Sequence, residues 1–413
     1  MHTRLRRALF VPASFLIGCS ITASDGRLGD TTPASALQAD AARPSIDALQ
    51  RGRFEEAAEL AEKGLAADGD NPYPHLVRAI SRYERSMRTL AREGRGIADD
   101  LDEGRLDDKA VRAVLRRAEG ELGAVDEDLA AAAARSGIGL DLCLACWDLD
   151  WNGNGRIDRG DALLLQIEQD EAGEPIAEDD PRRKPTFHFD DGDVLWARAF
   201  VSFQRAGLDL LMAYDLGEIA KLAKGKRDMP ERITLRLVDR GRVGDARDKI
   251  LEGLNFSDGA RKRYLAETDD DREWVPNPRQ KSHPMPLPVD ALLYQTWEGV
   301  LGDVRRLVEG DEGLALAEVA ELSGERLHVP VKGYLDLGHL LAHPKDIDLD
   351  LKGLTRMDRR GDLDGMIASV LGEGYNRSMK PSPLPARLGR MKGEIDRREE
   401  SFGRKLRYLF WLN

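Results

Sequence analysis

The amino-acid sequence predicts an all-α protein, a multi-helix bundle or helical-hairpin array. Three observations predict it. Apolar residues recur at three- and four-residue spacing through most of the chain, the period of a helix with one buried face. No series of alternating β-branched segments interrupts them, as a sheet would require. Asp191 and Asp193 stand just before one such run, where a carboxylate satisfies the free amides of a helix start. With 413 residues, 41% hydrophobic and 33% charged, the chain can bury a substantial core in two or three domains. A net charge of −12 gives nucleic acid little electrostatic reason to bind and favours cations instead. The three cysteines, Cys19, Cys143 and Cys146, are too few for a disulfide framework.

The chain begins with Arg4, Arg6 and Arg7, followed by an apolar stretch from Ala8 to Ile17 that is too short to span a bilayer. This pattern is that of an export signal. Its end, Leu16-Ile17-Gly18-Cys19, resembles the lipobox of bacterial lipoproteins. The resemblance implies a signal peptide over residues 1–18, a lipid on Cys19 and anchorage in the cell envelope. Ser20, where that family uses Asp for retention, implies the outer membrane. Residues 19–44 are rich in Ala, Ser, Thr, Asp, Gly and Pro, and are expected to form a flexible tether.

A helical region is expected over residues 45–170. Leu49, Phe54, Ala57, Ala58, Leu60, Ala61 and Leu65 are spaced as a helical hairpin broken at Gly52. The run from Leu49 to Ala61, with Gly64-Leu65 and Asp70-Asn71-Pro72 after it, resembles the second half of a tetratricopeptide repeat. The resemblance implies stacked hairpins; a lone repeat must pack on the rest of the protein. Helical spacing returns between Asp107 and Trp147. Beyond a polar linker at 170–185, a C-terminal helical region over 186–413 is expected. Its helices span Val194 to Tyr214, capped by Asp191 or Asp193, then Glu231 to Leu254, Val289 to Glu309, Gly333 to His343, Leu363 to Leu371 and Leu384 to Leu412. Thr268 to Pro288 is proline-rich and expected to be irregular.

The most specific signal is the run from Asp150 to Asp161. Oxygen-bearing side chains stand at Asp150, Asn152, Asn154, Asp158 and Asp161, with Gly155 at the sharp turn and Ile157 where an apolar residue closes the loop. Calcium is a hard cation that takes six to eight oxygens, and this spacing turns alternate side chains inward while Arg156 offers its carbonyl. The run resembles a calcium loop of the EF-hand/dockerin type, with Asp161 in place of the usual closing Glu. Cys146 and Trp147 would end the incoming helix and Ala162 to Leu165 would open the outgoing one. Three carboxylates imply weak binding, roughly 10⁻⁵ to 10⁻³ M. A register beginning at Asp148 fails, because Arg159 would occupy the closing position.

Four weaker signals remain. Cys143 and Cys146 are expected to be two buried thiols or a small local disulfide, with redox or metal chemistry as the alternative. His188, Asp190, Asp191 and Asp193 form an acidic cluster that reads first as a helix cap and second as a cation or acid/base site. His339 and His343 have the spacing of a zinc pair, but no Glu follows His339, so they read as ordinary helix histidines. Asp346, Asp348 and Asp350 alternate with apolar residues as in a short extended segment with one wet face. No catalytic motif stands out. The chain is expected to be a calcium-binding envelope lipoprotein acting as a non-enzymatic scaffold or protein-interaction module. The alternatives are an envelope hydrolase working near Asp190 with a structural calcium, and a docking component of a transport or assembly system.

Overall fold

The computed structural model describes residues 33–103, 107–143, 145–147, 150, 156, 166–168, 170, 174–217, 231–284, 289–322, 331–350 and 362–398. Among them the fold is mainly α, with three small antiparallel sheets. Cys19 and most of the 150–161 loop lie outside the described residues, as does the chain after 398. No described helix is long and apolar enough to cross a membrane.

The first three helices are α1 (Pro33–Gln50), α2 (Phe54–Ala67) and α3 (Pro72–Asp102). Residues 33–44, expected within the tether, are helical: Ala39 and Ala42 are buried small residues that let α1 settle onto the core, and Pro44 lies inside the helix. Gly52 turns the chain between α1 and α2 at φ +66°, a left-handed conformation that suits glycine. Ala57 and Ala61 are fully buried, and a Cβ on Gly64 would sit 3.1 Å from Pro74 Cγ. These small residues bring α2 close to the start of α3. Phe54 closes the hairpin against Trp147, ring to edge at 4.3 Å.

Helix α4 (Asp108–Ala133) is capped by Asp107, which accepts from the Lys109 amide. It packs along α3, and Val111, Leu115, Leu122, Val125 and Leu129 are buried along its length. A buried ionic clamp joins the pair. Asp128, 3% exposed, accepts from Arg78 (2.6 Å) and Arg82 (2.9 Å), with His75 at 3.2 Å. Such a buried acid persists because its hydrogen bonds and partner charges offset lost hydration.

The all-α expectation fails first after α4. The helical spacing expected to run on to Trp147 stops at Ala133, and Gly139–Cys143 form strand β1. Strand β2 (Thr186–Asp190) pairs with it antiparallel, Leu140 opposite Phe189 and Cys143 opposite Thr186. All of β1 is buried, so it lacks the alternation that announces a strand. Helix α5 (Asp191–Ala213) follows at once. Its cap is Asp190, where β2 ends, and not the expected Asp191 or Asp193. Asp193 returns the bond as the second half of a capping box, and Asp191 instead accepts from the Gly137 and Ile138 amides.

The segment expected as a helix from Glu231 to Leu254 divides into strand β3 (Arg232–Leu235) and helix α6 (Arg240–Ala266), which Asp239 caps. Helices α5 and α6 form the most extensive helix pair, close enough that a Cβ on Gly253 would meet the Phe203 ring at 2.7 Å. Gly192 faces the Tyr264 ring equally closely, at 2.7 Å. Gly192→Ala is therefore expected to overpack this junction and lower stability by about 1–3 kcal/mol in urea unfolding.

The remainder is smaller in scale: α7 (Ala291–Glu309), β4 (Leu314–Ala315), α8 (Leu316–Leu322), β5 (Tyr334–Leu335), α9 (Leu337–Ala342), β6 (Ile347–Asp350), α10 (Leu363–Leu371), β7 (Tyr375–Asn376) and α11 (Leu384–Arg398). β6 pairs with β3, and β4, β5 and β7 form the third sheet. The main core runs from α1 through α6 without a break at residues 170–186, and a second, smaller cluster gathers Ala213, Val243, Val308 and Leu341.

Candidate functional site

Among the described residues, a dense collection of titratable groups lies where β1, β2, the start of α5 and the end of α6 meet residues 267–284. Trp274 fastens this last segment to the core. Its ring stacks on Phe189 (5.7 Å between centroids) and meets Phe187 (4.9 Å) and Trp196 (6.4 Å) edge-on. The His188 amide donates to the Arg272 carbonyl (3.0 Å), and His188 and Glu273 form a parallel bridge, so the segment lies against β2 as a short extra strand. Arg272 has φ +71°, unique among the described non-glycine residues, and its guanidinium reaches across to Asp141 at 2.7 Å. Asn277 donates to the Tyr264 and Glu267 carbonyls, and Asp270 accepts from the amides of Lys281 and Ser282. These bonds set the backbone without help from regular structure.

Two acidic subsets result. In the first, Asp190 caps α5 and pairs with Glu267, Asp193 lies beside it, and buried Tyr264 donates to Asp193 at 2.8 Å. Burial and the neighbouring Asp190 push the Glu267 carboxyl up to about 10, so it keeps its proton at neutral pH and donates to Asp190. Burial also raises Asp190 and, more strongly, Asp193. In the second subset, Asp269, Asp271 and Glu273 each place one oxygen within 4.8 Å of the other two. Glu273 is 2% exposed, and burial with its hydrogen bond to Asp271 pushes it up to about 11.

His188 joins the subsets. Its Nδ1 lies 2.8 Å from Asp141 Oδ1 and 3.9 Å from Asp271. Burial lowers its pKa, but the bond to Asp141 and the charge of Asp271 outweigh burial, and the net shift is upward. The cationic side chains in direct contact here, Arg272 and His188, both lean on Asp141. The acids outnumber the charges that could balance them.

The sequence singled out His188, Asp190, Asp191 and Asp193, and the structure brings three of them into this site while Asp191 turns away to the 137–138 turn. Glu267, Asp269, Asp271 and Glu273 were not singled out, although the alternating acids ahead of a tryptophan were a signal. Of the calcium loop, only Asp150 and Arg156 are described, and Asn152, Asn154, Asp158 and Asp161 lie outside the described residues. Its expected incoming helix is corrected: Cys146 and Trp147 sit in a turn after β1, and a Cys143–Cys146 disulfide closes that turn. The rings of His339 and His343 are 4.7 Å apart at the end of α9, with Glu373 at 3.6 Å from His339. Asp348 and Asp350 belong to β6, in keeping with the extended segment read there, and Asp346 precedes it and accepts from the Leu237 amide.

No known protein family, curated protein or solved structure matches this chain.

Proposed function

We propose that this chain is a calcium-binding lipoprotein of the bacterial cell envelope, anchored through Cys19 at the outer membrane. In this reading it acts as a non-enzymatic scaffold whose helical body engages a protein partner. The observation that carries the scaffold reading is burial. Asp193 and His188 are each 6% exposed and Glu273 2%, so they brace the fold instead of facing a substrate. Calcium would be held by Asp150, Asn152, Asn154, Asp158 and Asp161 through side chains and by Arg156 through its carbonyl, on the spacing of the sequence.

Calorimetric titration of the full chain with calcium tests this. Asp150→Ala is expected to remove one stoichiometric binding event and to reduce the rise in melting temperature that calcium gives over chelator. An unchanged isotherm in Asp150→Ala sinks the assignment of the loop. The second reading, an envelope hydrolase, has one observation in its favour: a protonated Glu267 beside Asp190 supplies an acid and a base together. It requires the 267–284 segment to lift from β2, and it predicts that Trp274 substitutions alter turnover.

A further inference from the structure

We propose that Asp269, Asp271 and Glu273 form a second cation site, independent of the 150–161 loop, which takes a hard divalent cation of the calcium class and fastens the 267–284 segment to the core. Geometry supplies the first support. Calcium–oxygen bonds are about 2.4 Å long, so two oxygens on one ion stand at most about 4.8 Å apart. The three carboxylates satisfy that limit pairwise, at 4.8 Å or less.

The second support is an unsatisfied buried group. Glu273 Oε2 and Asp271 Oδ1 are sealed from solvent and receive no amide, hydroxyl or cationic donor, and what Glu273 faces is the Asp271 carboxyl itself. A buried carboxylate oxygen without a partner costs on the order of 1–3 kcal/mol or more, and native structures seldom leave one without a reason. A cation between them removes both deficits at once. The neighbouring charges do not: Arg272 and His188 are taken up by Asp141, Arg261 by Asp258 and Glu298, and Arg279 by the carbonyls of Leu265 and Glu267.

The ligands also form a graded path. Asp269 is exposed, Asp271 partly exposed and Glu273 buried, so an ion can shed water stepwise as it enters. The donors are all carboxylate oxygens, with no thiolate and with His188 committed elsewhere, which suits calcium over zinc or copper. The backbone is held beforehand by Asn277 and Asp270, so little ordering is left for the ion to impose.

The test is calcium titration of the full chain in an Asp150→Ala background, with Glu273→Gln and, separately, Asp269→Asn added. Asp150→Ala alone should retain one stoichiometric site. Glu273→Gln should abolish it, and Asp269→Asn, at the exposed edge where folding is not at stake, should weaken it at least tenfold. Glu273→Gln should melt no lower than its parent in chelator yet lose the calcium-dependent rise. Loss of all calcium binding in Asp150→Ala overturns the second site while leaving the loop intact. A residual site that both added substitutions leave unchanged overturns the ligand assignment. Retention of two sites in Asp150→Ala counts against the loop and not against this site.

Discussion

Trp274→Ala is expected to lower stability by about 3–5 kcal/mol, among the largest losses any single substitution should produce here. The indole is 4% exposed and touches three other buried rings, Phe187, Phe189 and Trp196, which come from two different elements. Removing it leaves a cavity that those rigid rings cannot collapse to fill, and the edge-to-face contacts are lost as well. The loss should also be local in a measurable way. The 267–284 segment is held to β2 by little backbone hydrogen bonding, with the His188 amide on the Arg272 carbonyl as its principal link. Hydrogen exchange of the His188 amide should therefore accelerate far more than that of α3 or α4. Uniform acceleration across all helices would mean that the indole serves the whole core instead.

Asp128→Ala should cost about 3 kcal/mol in urea unfolding, by a different route. The substitution strips the acid from under Arg78 and Arg82, which are 21% and 25% exposed. Their guanidinium groups can turn toward water, which places the loss at the low end for a broken buried pair. The bond to Asp128 raises the Arg78 pKa further above its already high ordinary value, and the guanidinium stays charged without it because an arginine does not lose its proton near neutral pH. A double-mutant cycle with Arg78→Ala should return a coupling of roughly 1–3 kcal/mol. A coupling near zero would show that the clamp fixes the α3–α4 geometry without stabilising it.

The helices were legible where one face is buried and the other wet. Leu363 to Leu371 coincides with α10, and Val289 to Glu309 nearly with α7. The strands were not, for two reasons. β1 is buried throughout and offers no period to read, while β3 hides in a stretch whose later residues do form a helix. The partners of both lie far along the chain, β2 after residue 185 and β6 after residue 346, and pairing across such distances leaves no local mark. The acidic site follows the same rule. His188 and the Asp190–Asp193 group drew notice because they cluster in sequence, whereas Asp141 and Glu267 reach the site only through folding. The Asp269–Glu273 run was passed over because proline-rich sequence reads as irregular, and irregular backbone held by side-chain bonds from Asn277 and Asp270 can be as fixed as a helix.

The register of β1 and β2 has a consequence for how this protein could be altered. Cys143 stands opposite Thr186, so the chain leaves the sheet after β1 and rejoins it at β2 at neighbouring points, while Trp147, Ile167 and Ile176 between them are buried in the main core. The excursion is anchored near both ends, by Trp147 against Phe54 after β1 and by Ile167 and Ile176 before β2, so only what lies between those anchors could vary without disturbing the core. Closing such an excursion carries an entropic cost that grows only slowly with length, about 0.6 kcal/mol per doubling. A shortened excursion that keeps Trp147, Ile167 and Ile176 should leave the strands paired, and the stretch between those anchors is a socket into which other sequences could be grafted.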